Sequence, residues 1–248
     1  MNSIFAIFFN NLEIFIDQSV SYLIGWGKSQ PGSHALTTPV TEKNFAGRNR
    51  KSQSEFRKRQ LIDATMDCID RRGISQTTLA RIAARAGLSQ SNLLFHFQTK
   101  EALLEQTLRF LNDEYKSNWQ AALAAASQDP GSQLRAMIKA SFAARICNRK
   151  KISVWMAFWG ESRSRPEYMR VCGANDKAFS DKILALCEAI EKQTEARLNA
   201  STAALSIEGM IDGLWQNFLI GPPGFKRKQA IQAVFELLDA IYPDLTGE

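Results

Sequence analysis

Residues Thr77–Lys100 read TTLARIAARAGLSQSNLLFHFQTK, and this stretch decides the fold. Leu79, Ile82, Ala83 and Ala86 recur at helical spacing, Gly87-Leu88-Ser89 interrupts them, and a second short helix starts at Gln90 with Leu93 and Phe97 as its inward pair. The pattern predicts a helix, a tight turn and a helix. Gln90, Ser91 and Asn92 put short polar side chains at the start of the second helix, where amides pair with adenine and hydroxyls with several acceptors in a major groove. The second helix is therefore predicted to read DNA.

Charge placement supports that reading. The chain carries a net +6, but residues 43–100 hold 12 Lys/Arg against 4 Asp/Glu, whereas residues 101–248 hold 18 of each. The basic excess surrounds the helix-turn-helix, so the expected partner of that segment is a polyanion, double-stranded DNA, bound less tightly as salt rises.

Outward from the motif, a first helix is expected over 54–72, burying Leu61, Ile62, Thr65, Met66, Cys68 and Ile69 and ending at Gly73, a good left-handed terminator. Thr77 or Thr78 caps the next helix, without a full capping box because Arg81 stands where Glu or Gln would complete it. Arg81 and Arg85 fall on the exposed side, where they can face phosphate. Thr99 caps a fourth helix, and Lys100 in its first turn is electrostatically unfavourable unless an anion such as a DNA phosphate sits nearby.

The three expected domains are an apolar helix with a basic extension over 1–53, a DNA-binding head over 54–100 and an effector-binding and dimerisation body over 101–248. Residues 3–24 are rich in Phe and Ile, but Asn10, Asn11, Glu13, Asp17 and Gln18 break the run too early for a membrane span, and no basic residue precedes it as a signal peptide would require. A loosely attached extension or translated upstream stretch is preferred to an amphipathic helix lying on a membrane. Residues 25–53 read as a flexible linker whose Lys43, Arg48, Arg50 and Lys51 form either a minor-groove arm or a solvated basic tail.

Beyond Glu101 the pattern is helical over 101–127, 131–148, 150–163, 166–196, 200–220 and 226–241, with no β-branched alternation, so the fold class is all-α. Cys68, Cys147, Cys172 and Cys187 are scattered over helical patterns and the histidines are His34 and His96 alone, which gives no metal framework and implies buried thiols in a cytoplasmic protein. No phosphate-cradling glycine loop, no nucleophile elbow and no body histidine recommends an enzyme or a cofactor.

Trp155, Phe158 and Trp159 share one helical face, with Trp215 and Tyr168 able to approach from other helices. Two readings stand: a plain core stripe, or an aromatic box that holds a quaternary ammonium at about 0.5–2 kcal/mol per desolvated contact. Asp212, Glu161 and Glu208 could balance a cation, and equally could be surface charges or partners of Arg163, Arg165 or Arg170.

The stretch Arg59–Leu104, RQLIDATMDCIDRRGISQTTLARIAARAGLSQSNLLFHFQTKEALL, resembles the head of the tetracycline-repressor (TetR) family, including Ala64, Gly73, Thr77-Thr78, Ile82-Ala83, Ala86-Gly87, Phe97 and Lys100. The body segments Val154–Arg170 and Ile211–Trp215 are similar to the choline-responsive repressors of glycine betaine synthesis, the BetI group. The resemblance implies phosphate contacts from Thr78, His96 and Lys100, with Arg59, Arg81 and Arg85 as further candidates. His96 departs from the family's tyrosine yet keeps a hydrogen-bond donor. It also implies a nucleoid-associated homodimeric repressor on a palindromic operator, paired through 200–220 and 226–241 and released when a choline-like effector fills the box of Trp155, Phe158, Trp159, Tyr168, Asp212 and Trp215. The alternative is an architectural or cell-division DNA-binding protein of the same fold with no small effector.

Overall fold

The computed structural model describes residues 50–161 and 166–245, and among them every regular element is helical. The expected apolar helix over 3–24, the linker up to residue 49, and Arg163 and Arg165 lie outside the described residues. The helices are α1 (Arg50–Arg72), α2 (Leu79–Ala86), α3 (Gln90–His96), α4 (Lys100–Ala125), α5 (Pro130–Ser141), α6 (Arg149–Glu161), α7 (Pro166–Glu191), α8 (Ala200–Ile220) and α9 (Arg227–Ile241). The head and the body lie within one compact unit that starts at Ser54.

Local chemistry sets the head. Thr78, Ser89 and Thr99 each sit in extended backbone and accept a hydrogen bond from the amide three residues on, which caps α2, α3 and α4. Gly87 takes φ 66° after α2, and the Leu88 N–H reaches the Ala83 carbonyl at 2.9 Å. A side chain there would strain the left-handed turn that aims α3. Gly73 does the same after α1 at φ 74°. The side chains predicted to face inward from α1 do so: Leu61, Thr65, Met66 and Ile69 are buried, and Ile82, Leu93, Phe97 and Leu103 close the head core around them.

The 26-residue α4 leaves the head through Leu103, Leu104 and Leu108 and enters the body through Leu111, Asn112 and Trp119. In the body α4 packs on α5 and α7, α7 on α5 and α8, and α8 on α6 and α9. A polar ladder crosses the buried α4–α7 seam: Trp119 Nε1 donates to Asn175 Oδ1 at 3.3 Å, and Asn175 Nδ2 to Asn112 Oδ1 at 3.0 Å. Buried amides that satisfy one another in this way fix the register of two long helices, which apolar contact alone does poorly.

Two predicted helices end early. The span expected over 131–148 stops at Ser141, because side chains from other helices take its last carbonyls. Asn118 Nδ2 donates to Ala140 O at 2.7 Å and Trp215 Nε1 donates to Ser141 O at 3.0 Å. Cys147 consequently lies in the following turn rather than in a helix, and is still fully buried. The span expected over 166–196 stops at Glu191, where the Thr194 hydroxyl donates to Ile190 O at 3.0 Å in competition with the helical ladder.

On α8 and α9 the apolar residues separate into two sets. Ile207, Ile211, Val234, Leu238 and Ile241 are buried in the chain's own core, whereas Leu205 is 43% exposed and Met210, Leu214 and Leu237 are half-buried. No described helix is long and apolar enough to cross a membrane.

Candidate functional site

The head presents its candidate DNA contacts on one exposed run. Thr78, Gln90, Ser91 and Asn92 are exposed, and Leu94 and Phe95 stand beside them at 40% and 83% exposure. Ser91 pairs its hydroxyl with that of Ser89 at 2.9 Å. His96 ends α3 with its ring edge-on to Phe95 at 5.2 Å between centroids. Burial lowers the His96 pKa first, and the cations Lys58 and Arg57 lower it further. The imidazole is therefore neutral at pH 7 and sits in a basic neighbourhood.

The other basic candidates already have partners. Arg59 pairs with Asp63 at 3.0 Å and stacks its guanidinium 3.7 Å from the Phe110 ring centre. Arg81 donates to the Gln76 carbonyl, which braces the turn before α2. Lys100 donates to Ile74 O at 3.0 Å, so the cation expected to need a phosphate is met by a carbonyl just beyond α1. Arg85 holds Asp67 through Nη2 at 2.6 Å and Nε at 2.8 Å.

In the body, most of the predicted aromatic residues come together. Trp159 and Trp215 lie 6.3 Å apart between ring centres and within 10° of parallel, and Trp155 adjoins Trp159 at 6.3 Å. Tyr115 closes on Trp215 edge-on at 5.8 Å. Tyr168 is buried, with the Trp159 indole acting on its hydroxyl. Phe158 is buried in the same core but makes no ring pair with the others among the described residues.

Three carboxylates lie near the two phenols of this wall. Asp212 is pushed up to about 7 by burial and then by Glu208 and Asp176. Asp176 is pushed up to about 7 by burial and then by Glu208. Burial likewise raises Glu208, against a Ser180 hydroxyl that donates to it at 2.6 Å. Tyr115 and Tyr168 both feel Asp176 and Asp212, so both phenols and these acids share one neighbourhood of the body. No Lys or Arg among the described residues offsets the three charges, and the described acids do not gather closely enough to hold a metal ion. Acids kept near a face of aromatic rings and away from protein cations suit a positively charged organic guest.

Asp176 and Tyr115 were not anticipated from the sequence. The available signal was a carboxylate inside an apolar stripe, since Asp176 sits beside Asn175 between Cys172 and Phe179 on the inner side of α7. Glu208, weighed as a surface charge or an arginine partner, is half-buried and bonded to Ser180. Arg170 pairs with Glu105 at 2.8 Å.

Comparison with known proteins matches both halves of this description. Residues 61–107 match the family described as bacterial regulatory proteins, tetR family, and residues 130–243 match the family described as BetI-type transcriptional repressor, C-terminal. The HTH-type transcriptional regulator BetI of Paraburkholderia xenovorans (strain LB400) is 34% identical over 190 residues, covering 75% of this chain and 94% of that protein. Among solved structures, a candidate transcriptional regulator from Pseudomonas aeruginosa PAO1 superposes with a TM-score of 0.65 at 25% identity, over 81% of this chain and 95% of the other. A candidate transcriptional regulator from Saccharomonospora viridis, crystallised with choline, superposes with a TM-score of 0.65 at 23% identity, over 75% of this chain and 97% of the other, a likeness of fold. The chain belongs to the tetR family of transcriptional regulators, not to an enzyme family, and within that family to the BetI-type repressors.

Proposed function

We propose that the protein is a cytoplasmic homodimeric repressor that binds a partly palindromic operator and releases it when choline or a related quaternary amine enters the body. The head, 54–100, reads DNA through Gln90, Ser91 and Asn92, with phosphates held by Thr78, His96, Lys100, Arg59, Arg81 and Arg85. The body, 101–248, senses the effector and dimerises through α8 and α9, whose half-exposed Leu205, Met210, Leu214 and Leu237 supply apolar surface for a second copy. The observation that carries the effector reading is the wall of Trp155, Trp159, Trp215, Tyr115 and Tyr168 with three acids near its phenols that no described Lys or Arg offsets.

Effector and operator weaken each other's binding reciprocally, by about 1–3 kcal/mol or about 5- to 150-fold. A gel shift on the DNA upstream of the protein's own gene, titrated with choline, measures that factor directly. Operator binding that choline leaves unchanged removes the ligand assignment and keeps the repressor.

His96 gives this reading a pH signature. A phosphate beside the ring favours its charged form, so binding DNA raises a pKa that burial and Lys58 and Arg57 hold below its ordinary value. The complex takes up a proton, and operator affinity is expected to rise as pH falls below 7 and to flatten once the free protein's His96 is itself protonated. His96→Gln is expected to remove this dependence. A pH profile identical to wild type sinks the phosphate role of His96.

A further inference from the structure

The first turn of α6 carries Arg149, Lys150 and Lys151 and no acidic residue. Three cations at a helix N-terminus oppose the helix dipole, so each needs a partner elsewhere. The three find theirs on three different helices. Arg149 donates to the Phe218 and Leu219 carbonyls at 3.4 and 3.3 Å, at the C-terminal end of α8. Lys151 pairs with Glu114 of α4. Lys150 Nζ lies 3.0 Å from Oδ1 of Asp67 on α1, in the head.

Asp67 is shared. Its other oxygen, Oδ2, accepts from Arg85 of α2 at 2.6 and 2.8 Å, so one carboxylate joins a body cation to a cation of the helix that precedes the reading helix. Asp67 keeps 22% side-chain exposure, Lys150 41% and Arg85 47%. Arg85 therefore remains open to an incoming phosphate on its outer side. The two cations also hold the Asp67 carboxyl below its ordinary range despite burial.

The charge sum shows what Lys150 does. With Lys150 seated, Asp67, Arg85 and Lys150 total +1. With Lys150 withdrawn, Asp67 and Arg85 total zero and the carboxylate holds the guanidinium alone. A phosphate approaching Arg85 is attracted in the first case and not in the second. The helix that carries Lys150 also carries Trp155 and Trp159, five and nine residues on. These lie about 7.5 and 13.5 Å away along one helix at about 1.5 Å per residue, so a shift of the rings moves Lys150 with them.

We propose that Lys150 is a positioning residue for DNA binding: by occupying Asp67 it leaves Arg85 available to a phosphate, and a movement of α6 at the aromatic wall is passed to the head through this shared carboxylate. The proposal rests on the reading of the head as DNA-binding and the body as choline-sensing. Because the pairs are partly exposed, the link is weak enough to be made and broken by an effector.

The test is operator affinity across a salt series, with and without choline, for wild type, Lys150→Met, Lys150→Arg, Asp67→Asn and the Asp67→Asn/Lys150→Met double variant. Melting temperatures establish that each variant is folded. Lys150→Met is expected to weaken operator binding about two- to fivefold and to reduce the slope of log K against log salt by up to about 0.9, the share of one phosphate. Lys150→Arg is expected to restore both. In the Asp67→Asn background Lys150→Met is expected to change neither, and the ratio of affinities with and without choline is expected to fall towards one in Lys150→Met. Equal losses from Lys150→Met in both backgrounds, or a choline ratio unchanged in that variant, overturn the relay. A wild type with no affinity for duplex DNA overturns the functional reading instead.

Discussion

Asp212→Asn is expected to weaken choline binding at pH 8 by about thirtyfold or more, since removing the counter-charge of a buried cation costs about 2 kcal/mol or more. Burial, with neighbouring carboxylates, pushes Asp212 and Asp176 up to about 7. A cation favours the ionised forms, so its entry expels protons, and choline affinity is expected to rise with pH through about 7 and level off above it. Below that window each proton released costs up to tenfold in affinity per pH unit. The same acids destabilise the fold. Their folded pKa values lie above the unfolded carboxylate range, so the folded state binds more protons than the unfolded one and stability falls as pH rises from about 4 through 7. Asp212→Asn is therefore expected to raise the melting temperature more at pH 8 than at pH 5, since only part of the window from about 4 to 7 has been crossed at pH 5. Calorimetric titration with choline at pH 6, 7 and 8, beside melting curves, reads both effects. A choline Kd at pH 8 equal to wild type removes Asp212 from the site.

The two expected effects of Asp212→Asn have opposite sign, and that opposition separates a binding acid from a structural one. A carboxylate that stabilises its fold is paired, as Asp63 is with Arg59 or Glu105 with Arg109 and Arg170. Asp176 and Asp212 have no such partner among the described residues, and their mutual repulsion is relieved only by protons or by a cation from outside.

The head was legible in the sequence because its determinants are local. The caps at Thr78, Ser89 and Thr99 act within three residues, Gly87 and Gly73 adopt the left-handed turns that only a missing side chain makes easy, and Leu93 and Phe97 are one turn apart. Where contacts come from distant residues, prediction loses its footing. The end of α5 depends on Asn118 and Trp215, which lie on other helices, so apolar periodicity carried that helix seven residues too far. The aromatic wall of the body shows the same division. Spacing placed Trp155 and Trp159 on one face, but it could not say that Tyr115 from α4 meets Trp215 or that Asp176 from α7 lies near Tyr115 and Tyr168, because helical periodicity gives the inward direction of a side chain and not its neighbour. The partners of Lys100 and Arg85 were hidden for the same reason, each lying on another part of the chain.

Trp215→Ala is expected to cost about 3–5 kcal/mol of stability, the range for deleting a large buried aromatic side chain, because Trp215 performs three tasks from one position. Its indole N–H takes the Ser141 carbonyl that ends α5, its face stacks on Trp159, and its side receives the edge of Tyr115. Trp215→Phe separates these tasks. A phenyl ring retains much of the packing against Trp159 and Tyr115 but leaves the Ser141 carbonyl without its donor, at about 1–3 kcal/mol for an unpaired buried group. The expected order in urea unfolding is wild type, then Trp215→Phe, then Trp215→Ala. Under the proposed function choline separates packing from recognition, since a ligand that binds the folded state stabilises it by an amount that grows with the logarithm of its affinity. Trp215→Phe is expected to keep most of the choline-induced rise in unfolding midpoint, since a benzene face still meets the cation, whereas Trp215→Ala is expected to lose it. If the alanine variant keeps the full rise, the ring serves the core alone, and the cation must be held by Trp155, Trp159 and the acids without it.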